Sequence, residues 1–291
     1  MVQLNEGAAL VLAPALAGAL LQTVGLGAVL LFDFATFLVA MTTLALVRIP
    51  RPERDPDTVA PSVRREAREG WRFVRERPGL FGLLWIYAGV NFSLAFTNIL
   101  LVPLVLSFAS EGAAGAVLSV AGFGMLAGSL VTSVWSGPKK KVRATMLTIG
   151  AAGLWLVVAS LRPSLLLVSV CVFALMAGIP VANAASQVLW QTKVPPAMQG
   201  RVFSIRRMIA QGIAPIAMLL SGPLADNVFE PLMAEDGRLA NTVGALIGTG
   251  TGRGVALMFI LAGLMTMALG ALGLLAPRVR HLEDELPDYV G

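Results

Sequence analysis

Residues 48–78 read RIPRPERDPDTVAPSVRREAREGWRFVRERP, with nine arginines and five prolines. The stretch before it, 27–47, carries Asp33 as its only charge, and the stretch after it, 80–107, carries none. Bilayer hydrocarbon is about 30 Å thick and takes roughly twenty apolar residues per helix, while positively charged connections stay on the cytoplasmic side. Residues 48–78 therefore read as a cytoplasmic connection between two membrane-spanning helices. Pro50, Pro52 and Pro56 oppose helix, which makes the first part a linker. From Ser62 to Arg77 an amphipathic helix is predicted, with Val63, Ala67, Trp71 and Val74 on one stripe and Arg64, Arg65, Arg68, Arg72 and Arg75 elsewhere. Two readings of it stand: a helix lying on the cytoplasmic membrane surface, or a solvated helix held by pairs such as Arg65 with Glu69 and Arg72 with Glu76.

Outward from this connection, helix-length apolar segments run over 4–22, 27–47, 80–107, 112–134, 144–161, 164–190, 207–225 and 254–276. The connections after the second, fourth and sixth segments and the tail hold nine, four (Lys139, Lys140, Lys141, Arg143), four (Lys193, Arg201, Arg206, Arg207) and two (Arg278, Arg280) of the 22 Lys and Arg residues. The opposite connections hold Arg162, Arg238 and Arg253. This alternation never slips, so an all-α polytopic membrane protein with eight helices and both termini cytoplasmic is expected. The first segment has no basic region ahead of it and carries Glu6, so it does not read as a signal peptide.

The composition agrees. With 56% hydrophobic and 13% charged residues and a mean hydropathy of +0.78, the polar surface is too small to cover a soluble globule. The net charge of +5 sits in short connections between apolar helices, which argues against nucleic acid as a partner and for membrane lipid around the chain. Cys171 lies in an apolar run as a small buried hydrophobe, and His281 has no spaced partner. Neither a metal centre nor a catalytic triad can be assembled from them, so no cofactor, metal or catalytic residue is expected. The division is then 1–48 as two helices of one bundle, 49–78 as linker, 79–277 as a six-helix bundle and 278–291 as a cytoplasmic tail.

Secondary transporters are often two six-helix halves joined by a long cytoplasmic loop. Leu12-Ala13-Pro14-Ala15-Leu16-Ala17-Gly18 resembles the fifth-helix antiporter motif of the major facilitator superfamily, with Ala13 and Ala17 in place of two glycines. Small residues there let helices approach closely, and Pro14 bends the helix. Gly124, Gly128 and the run Ser136-Gly137-Pro138-Lys139-Lys140-Lys141-Val142-Arg143 resemble the second copy of the family's glycine and basic loop motif, between helices eight and nine, without its acidic member. Gln199-Gly200-Arg201-Val202-Phe203-Ser204, followed by Ala214-Pro215 and Ser221-Gly222-Pro223-Leu224-Ala225-Asp226, is similar to the tenth-to-eleventh connection and eleventh helix of the branch holding exporters of macrolides and enterobactin-like siderophores. The resemblance implies a proton-driven exporter of amphiphilic small molecules that rocks one bundle against the other. It also implies that the first four helices are missing, that they are needed for activity, and that the isolated chain does not transport.

An ionisable group in hydrocarbon is a functional candidate by default. Asp33 is the only acid well inside an apolar segment, and desolvation can bring a carboxyl into the range where protons are exchanged and coupled to substrate. It can equally cap or bond a neighbouring helix near the extracytoplasmic interface. Glu6 reads as a helix cap, and Asp226 as a solvated helix-end acid. Asn91 and Asn98, seven residues apart, are expected to line a substrate cavity. Asn183 and Gln187, with Ser186 and Gln191 nearby, read either as cavity lining or as interhelical packing. The glycine run 248–254 lacks the spacing and Lys of a phosphate loop and reads as a flexible loop before the last helix. A membrane enzyme would need clustered Asp, His or Arg at one interface, which the helices do not show. A non-transporting membrane module from a split gene remains the alternative to a transporter.

Overall fold

Among the described residues, six apolar helices are each long enough to cross a bilayer: Pro78–Leu106, Glu111–Val134, Lys141–Ser160, Leu165–Lys193, Pro196–Met233 and Arg253–Leu275. They come from a computed structural model that describes residues 27, 30–44, 46, 63–135, 137, 138 and 140–289. The first apolar segment with Ala13, Pro14, Ala17 and Gly18, linker residues 49–62, Ser136 and Lys139 lie outside the described residues. A shorter apolar helix, α1, spans Leu30–Leu44, and α2 spans Val63–Arg75. The bundle is built from α3 (Pro78–Leu106), α4 (Glu111–Val134), α5 (Lys141–Ser160), α6 (Leu165–Lys193), α7 (Pro196–Leu224) and α10 (Arg253–Leu275). Between α7 and α10 lie a π-helical turn (Ala225–Phe229) and two short helices, α8 (Glu230–Met233) and α9 (Gly244–Ile247). The short helices α11 (Pro277–Arg280) and α12 (Leu282–Glu285) close the chain.

The termini of these helices follow from local chemistry. Ser110 Oγ accepts from the Ala113 amide at the start of α4, and Ser164 Oγ from the Leu167 amide at the start of α6, each satisfying an otherwise orphaned donor. Pro78 and Pro196 stand at the first positions of α3 and α7, where a missing N–H costs nothing. Inside the bundle, α4 packs on α6, α6 on α5, α5 on α10, α10 on α3 and α3 on α7. Apolar side chains fill two clusters. One, at the basic end, holds Leu80, Leu83, Met146, Trp190, Val202 and Leu282; the other holds Leu100, Leu104, Val117, Val168 and Met258. Close approach between α4 and α6 depends on Gly124 and Gly128: a Cβ at either would stand 2.5 or 2.1 Å from the carbonyl oxygen of Phe173 or Ala177.

This architecture revises some of the sequence expectations and adds contacts that the sequence does not show. The seventh helix does not begin at 207: it begins at Pro196, so Arg201, Arg206 and Arg207 are helical rather than in a connection. The signal is the proline pair at 195–196, which fits a helix start better than its interior. The predicted amphipathic helix forms, with Arg65–Glu69 at 3.1 Å and Arg72–Glu76 at 3.7 Å, but it is docked on α7. Arg201 reaches Glu69 at 2.8 Å and Glu66 at 3.6 Å, and Gly70 lets the two backbones close, since a Cβ there would meet Ile205 Cδ1 at 2.9 Å and Arg201 O at 3.0 Å.

The glycine run before the last helix is tied down rather than free. Gly248, Gly250 and Gly252 take φ of 89°, 98° and 79°, Gly250 N donates to Met233 O at 3.0 Å, and Glu230 accepts from the Gly252 and Val255 amides at 3.1 and 3.0 Å. Arg253, read from sequence as part of a connection, is buried at the start of α10 and donates to Ile247 O at 3.1 Å. The tail is docked as well. Glu283 accepts from the amides of Lys141 and Val142 at 3.0 and 3.1 Å, capping α5, while buried Lys193 pairs with Asp288 at 2.9 Å and donates to the carbonyls of Glu283 and Leu286.

Candidate functional site

Among the described residues, a cavity within the bundle and a groove on its surface bring polar groups of the long helices together. The first is a cavity of about 240 Å³ where α3, α4, α5, α6 and α10 meet. Its wall is apolar and aromatic, with Trp155, Met125, Met176 and Phe259 among the larger side chains. Thr97 and Asn98 enter it because both lie on the same turn of α3. Thr97 is self-satisfied, its hydroxyl donating to Ser93 O at 2.9 Å. Asn98 is exposed to the cavity mouth and makes no hydrogen bond among the described residues, so its amide is available to a ligand. Thioether and aromatic side chains adapt to ligands of different shape, and one or two polar groups in an apolar recess fix orientation.

The second is a groove of about 500 Å³ along α6 and α7, lined by Gln187, Phe203, Ser204, Arg206, Arg207, Ala210 and Gln211. Arg206 is its centre. From α7 its guanidinium crosses to α6, donating to Gln187 Oε1 at 3.0 Å and to Ser186 Oγ at 3.2 Å. The same group lies 5.5 Å from the Trp190 ring and 5.8 Å from the Tyr87 ring, within cation–π range. Tyr87 is held in turn, its hydroxyl donating to Ala182 O at 3.1 Å. Among the described residues no carboxylate pairs with Arg206. Among the described residues, the buried Thr145 Oγ1 and Trp190 Nε1 have no hydrogen-bond partner.

The remaining sequence candidates fall as follows. Asn91 donates its amide to Tyr87 O at 2.8 Å, beneath the Arg206 cluster, and is not among the residues lining the Asn98 cavity. Asn183 is exposed on α6, one turn before Gln187. Asp33 lies on α1, where every described residue is exposed. Gly137, at φ 83°, and Lys141 line a recess of about 180 Å³ against α6, whereas Lys140 and Arg143 line another of about 680 Å³ with Arg280, His281, Glu283 and Asp284. Pro215, Gly222 and Pro223 lie along α7, with Pro223 just ahead of the π-helical turn that carries exposed Asp226. Proline removes a backbone donor, and an irregular turn there is its expected consequence.

The Major Facilitator Superfamily pattern matches residues 2–225. The chain belongs to the Major Facilitator Superfamily. Similar curated members of the superfamily are macrolide efflux protein A of Streptococcus pyogenes, 27% identical over 222 residues, covering 75% of this chain and 55% of that one, and macrolide efflux protein A of Enterococcus faecalis, 26% identical over 212 residues, covering 72% and 66%. This superfamily member thus spans little more than half the length of the Streptococcus relative. No solved structure gives a significant match. Superfamily membership and the membrane-length helices make the chain a multi-pass helical membrane protein.

What the sequence did not single out are Arg206, Tyr87 and Trp190. Arg206 was counted with the connection before the seventh helix. An earlier helix start would have placed it about 15 Å along α7, since each residue rises 1.5 Å.

Proposed function

We propose that the chain works in the proton-coupled export of amphiphilic small molecules, macrolides among them, by alternating access in a cell membrane, with its basic end and both termini in the cytoplasm. The observation that carries this reading is the 240 Å³ cavity with the unpartnered Asn98 amide in an apolar, Met- and Trp-containing wall, room for a small amphiphile or for one apolar part of a larger one such as a macrolide. Exposed Asn183, Gln187, Arg207 and Gln211 on α6 and α7 suit a water-filled path rather than lipid, because polar groups facing hydrocarbon cost free energy. On this reading helices outside the six-helix bundle seal the path, and Asp33 exchanges the coupled proton.

The test is equilibrium binding of radiolabelled erythromycin to the purified chain in phosphatidylcholine nanodiscs, read together with proton release in weak buffer. Saturable binding accompanied by proton release, with the release abolished by Asp33→Asn, is expected. Absence of saturable binding overturns the substrate class. Binding with unchanged proton release in Asp33→Asn overturns the coupling role of that residue.

A further inference from the structure

We propose that the Arg206 groove is a recognition site for an anionic group, a carboxylate or phosphate monoester, borne on an apolar body. A cation inside a membrane-spanning helix is costly unless it is paired, hydrated or used. Arg206 is half-buried, and among the described residues it has no acid beside it. A guanidinium offers five N–H donors in a planar fork. Gln187 and Ser186 take one on each terminal nitrogen, which fixes the plane and leaves donors for a bidentate oxyanion. The rings of Tyr87 and Trp190 hold the cation from the side. Arg207 lines the same groove, no carboxylate does, and Ser204 and Gln211 add uncharged hydrogen-bonding groups. Phe203 and Ala210 supply the apolar wall.

The volume of about 500 Å³ fits a small amphiphile or a lipid headgroup with the start of its chains. The anion's source is either a transported solute or an anionic phospholipid, and the chemistry of recognition is shared. For its place in transport this inference rests on the export reading; the binding itself does not.

The probe is 1-naphthyl phosphate, measured by equilibrium dialysis against the whole chain in phosphatidylcholine nanodiscs, with 1-naphthylmethylammonium as the cationic counterpart. Saturable binding of the phosphate and not of the amine is expected. Arg206→Gln should weaken it about tenfold or more, Arg206→Lys should weaken it less, and Arg278→Gln should leave it unchanged. Nanodiscs containing phosphatidic acid separate the sources: competition that depends on Arg206 assigns the site to a lipid headgroup, and its absence assigns it to a solute.

Erythromycin binding in the same samples separates this inference from the export reading, and the thermal unfolding midpoint reports the fold. If Arg206→Gln loses its unfolding transition, the pair Arg207→Gln with Gln211→Ala decides. Selective loss of the phosphate there supports the site, and unchanged phosphate binding overturns it. Equal binding of phosphate and amine, or a folded Arg206→Gln protein with undiminished phosphate affinity, also overturns it.

Discussion

Gly128 shows how much of this bundle rests on single atoms. With the Ala177 carbonyl oxygen 2.1 Å from where its Cβ would be, Gly128→Ala forces α4 away from α6 and should cost about 1–3 kcal/mol. Gly115, on the same helix, has open space around it, and Gly115→Ala should be neutral or stabilise by about 0.5–1 kcal/mol through helix propensity. Thermal unfolding of both variants in detergent, followed by tryptophan fluorescence, measures the difference. Equal midpoints would mean that the α4–α6 contact is looser than described. From sequence Gly124 and Gly128 were readable as motif glycines, but not as the two points where α4 meets Phe173 and Ala177. A pattern of small residues marks a close approach without naming the partner. Arg206 was hidden for a different reason. Positive charge near a helix end satisfies the topology rule wherever its side chain goes, so the rule cannot separate a solvated arginine from one reaching to Ser186 and Gln187.

The basic end shows how one element is locked onto another. Helix α2 is held on α7 by the Gly70 approach to Ile205 and by the pairs of Arg201 with Glu69 and Glu66. These ion pairs are partly exposed and worth at most about 1 kcal/mol, whereas a branched side chain at 70 cannot be housed. Gly70→Val should therefore release α2, with amide exchange over residues 63–77 rising well above that of Arg201→Ala. Similar exchange in the two variants would transfer the main role to the ion pairs. Glu283 makes the matching contact for the tail, accepting from the first amides of α5. Glu283→Ala should cost about 1 kcal/mol and expose residues 282–289 to protease, and resistance equal to the parent protein would show that Lys193 alone retains the tail. The amphipathic stripe of α2 was visible in sequence as a face needing cover. Its register was not: Ala67 of that stripe is exposed and Trp71 packs on Phe81 of α3, while Gly70, Phe73 and Val74 are the buried residues, with Gly70 set against Arg201 and Ile205 of α7.

At the scale of the whole molecule, the six apolar spans were legible because hydrocarbon thickness sets a length that few soluble helices share. Their neighbours were not, since lipid-facing and protein-facing apolar residues look alike in sequence. The span formed by α7, the π-helical turn and α8, for example, runs 38 residues from Pro196 to Met233, about 57 Å at 1.5 Å per residue, and so extends beyond the slab. The proposed orientation predicts that a cysteine introduced at Asp236, in a Cys171→Ala background, is labelled by impermeant maleimide on intact cells. A cysteine at Glu285 should react only after permeabilisation, and the reverse pattern would invert the topology.

The central claim is that the cavity where α3, α4, α5, α6 and α10 meet receives an apolar part of an amphiphile beside Asn98. Its most direct test is erythromycin binding to Asn98→Trp in nanodiscs, where the indole fills much of the 240 Å³. Affinity should fall at least about tenfold with the unfolding midpoint within a few degrees of the parent protein, and undiminished affinity in a folded Asn98→Trp protein would contradict the account.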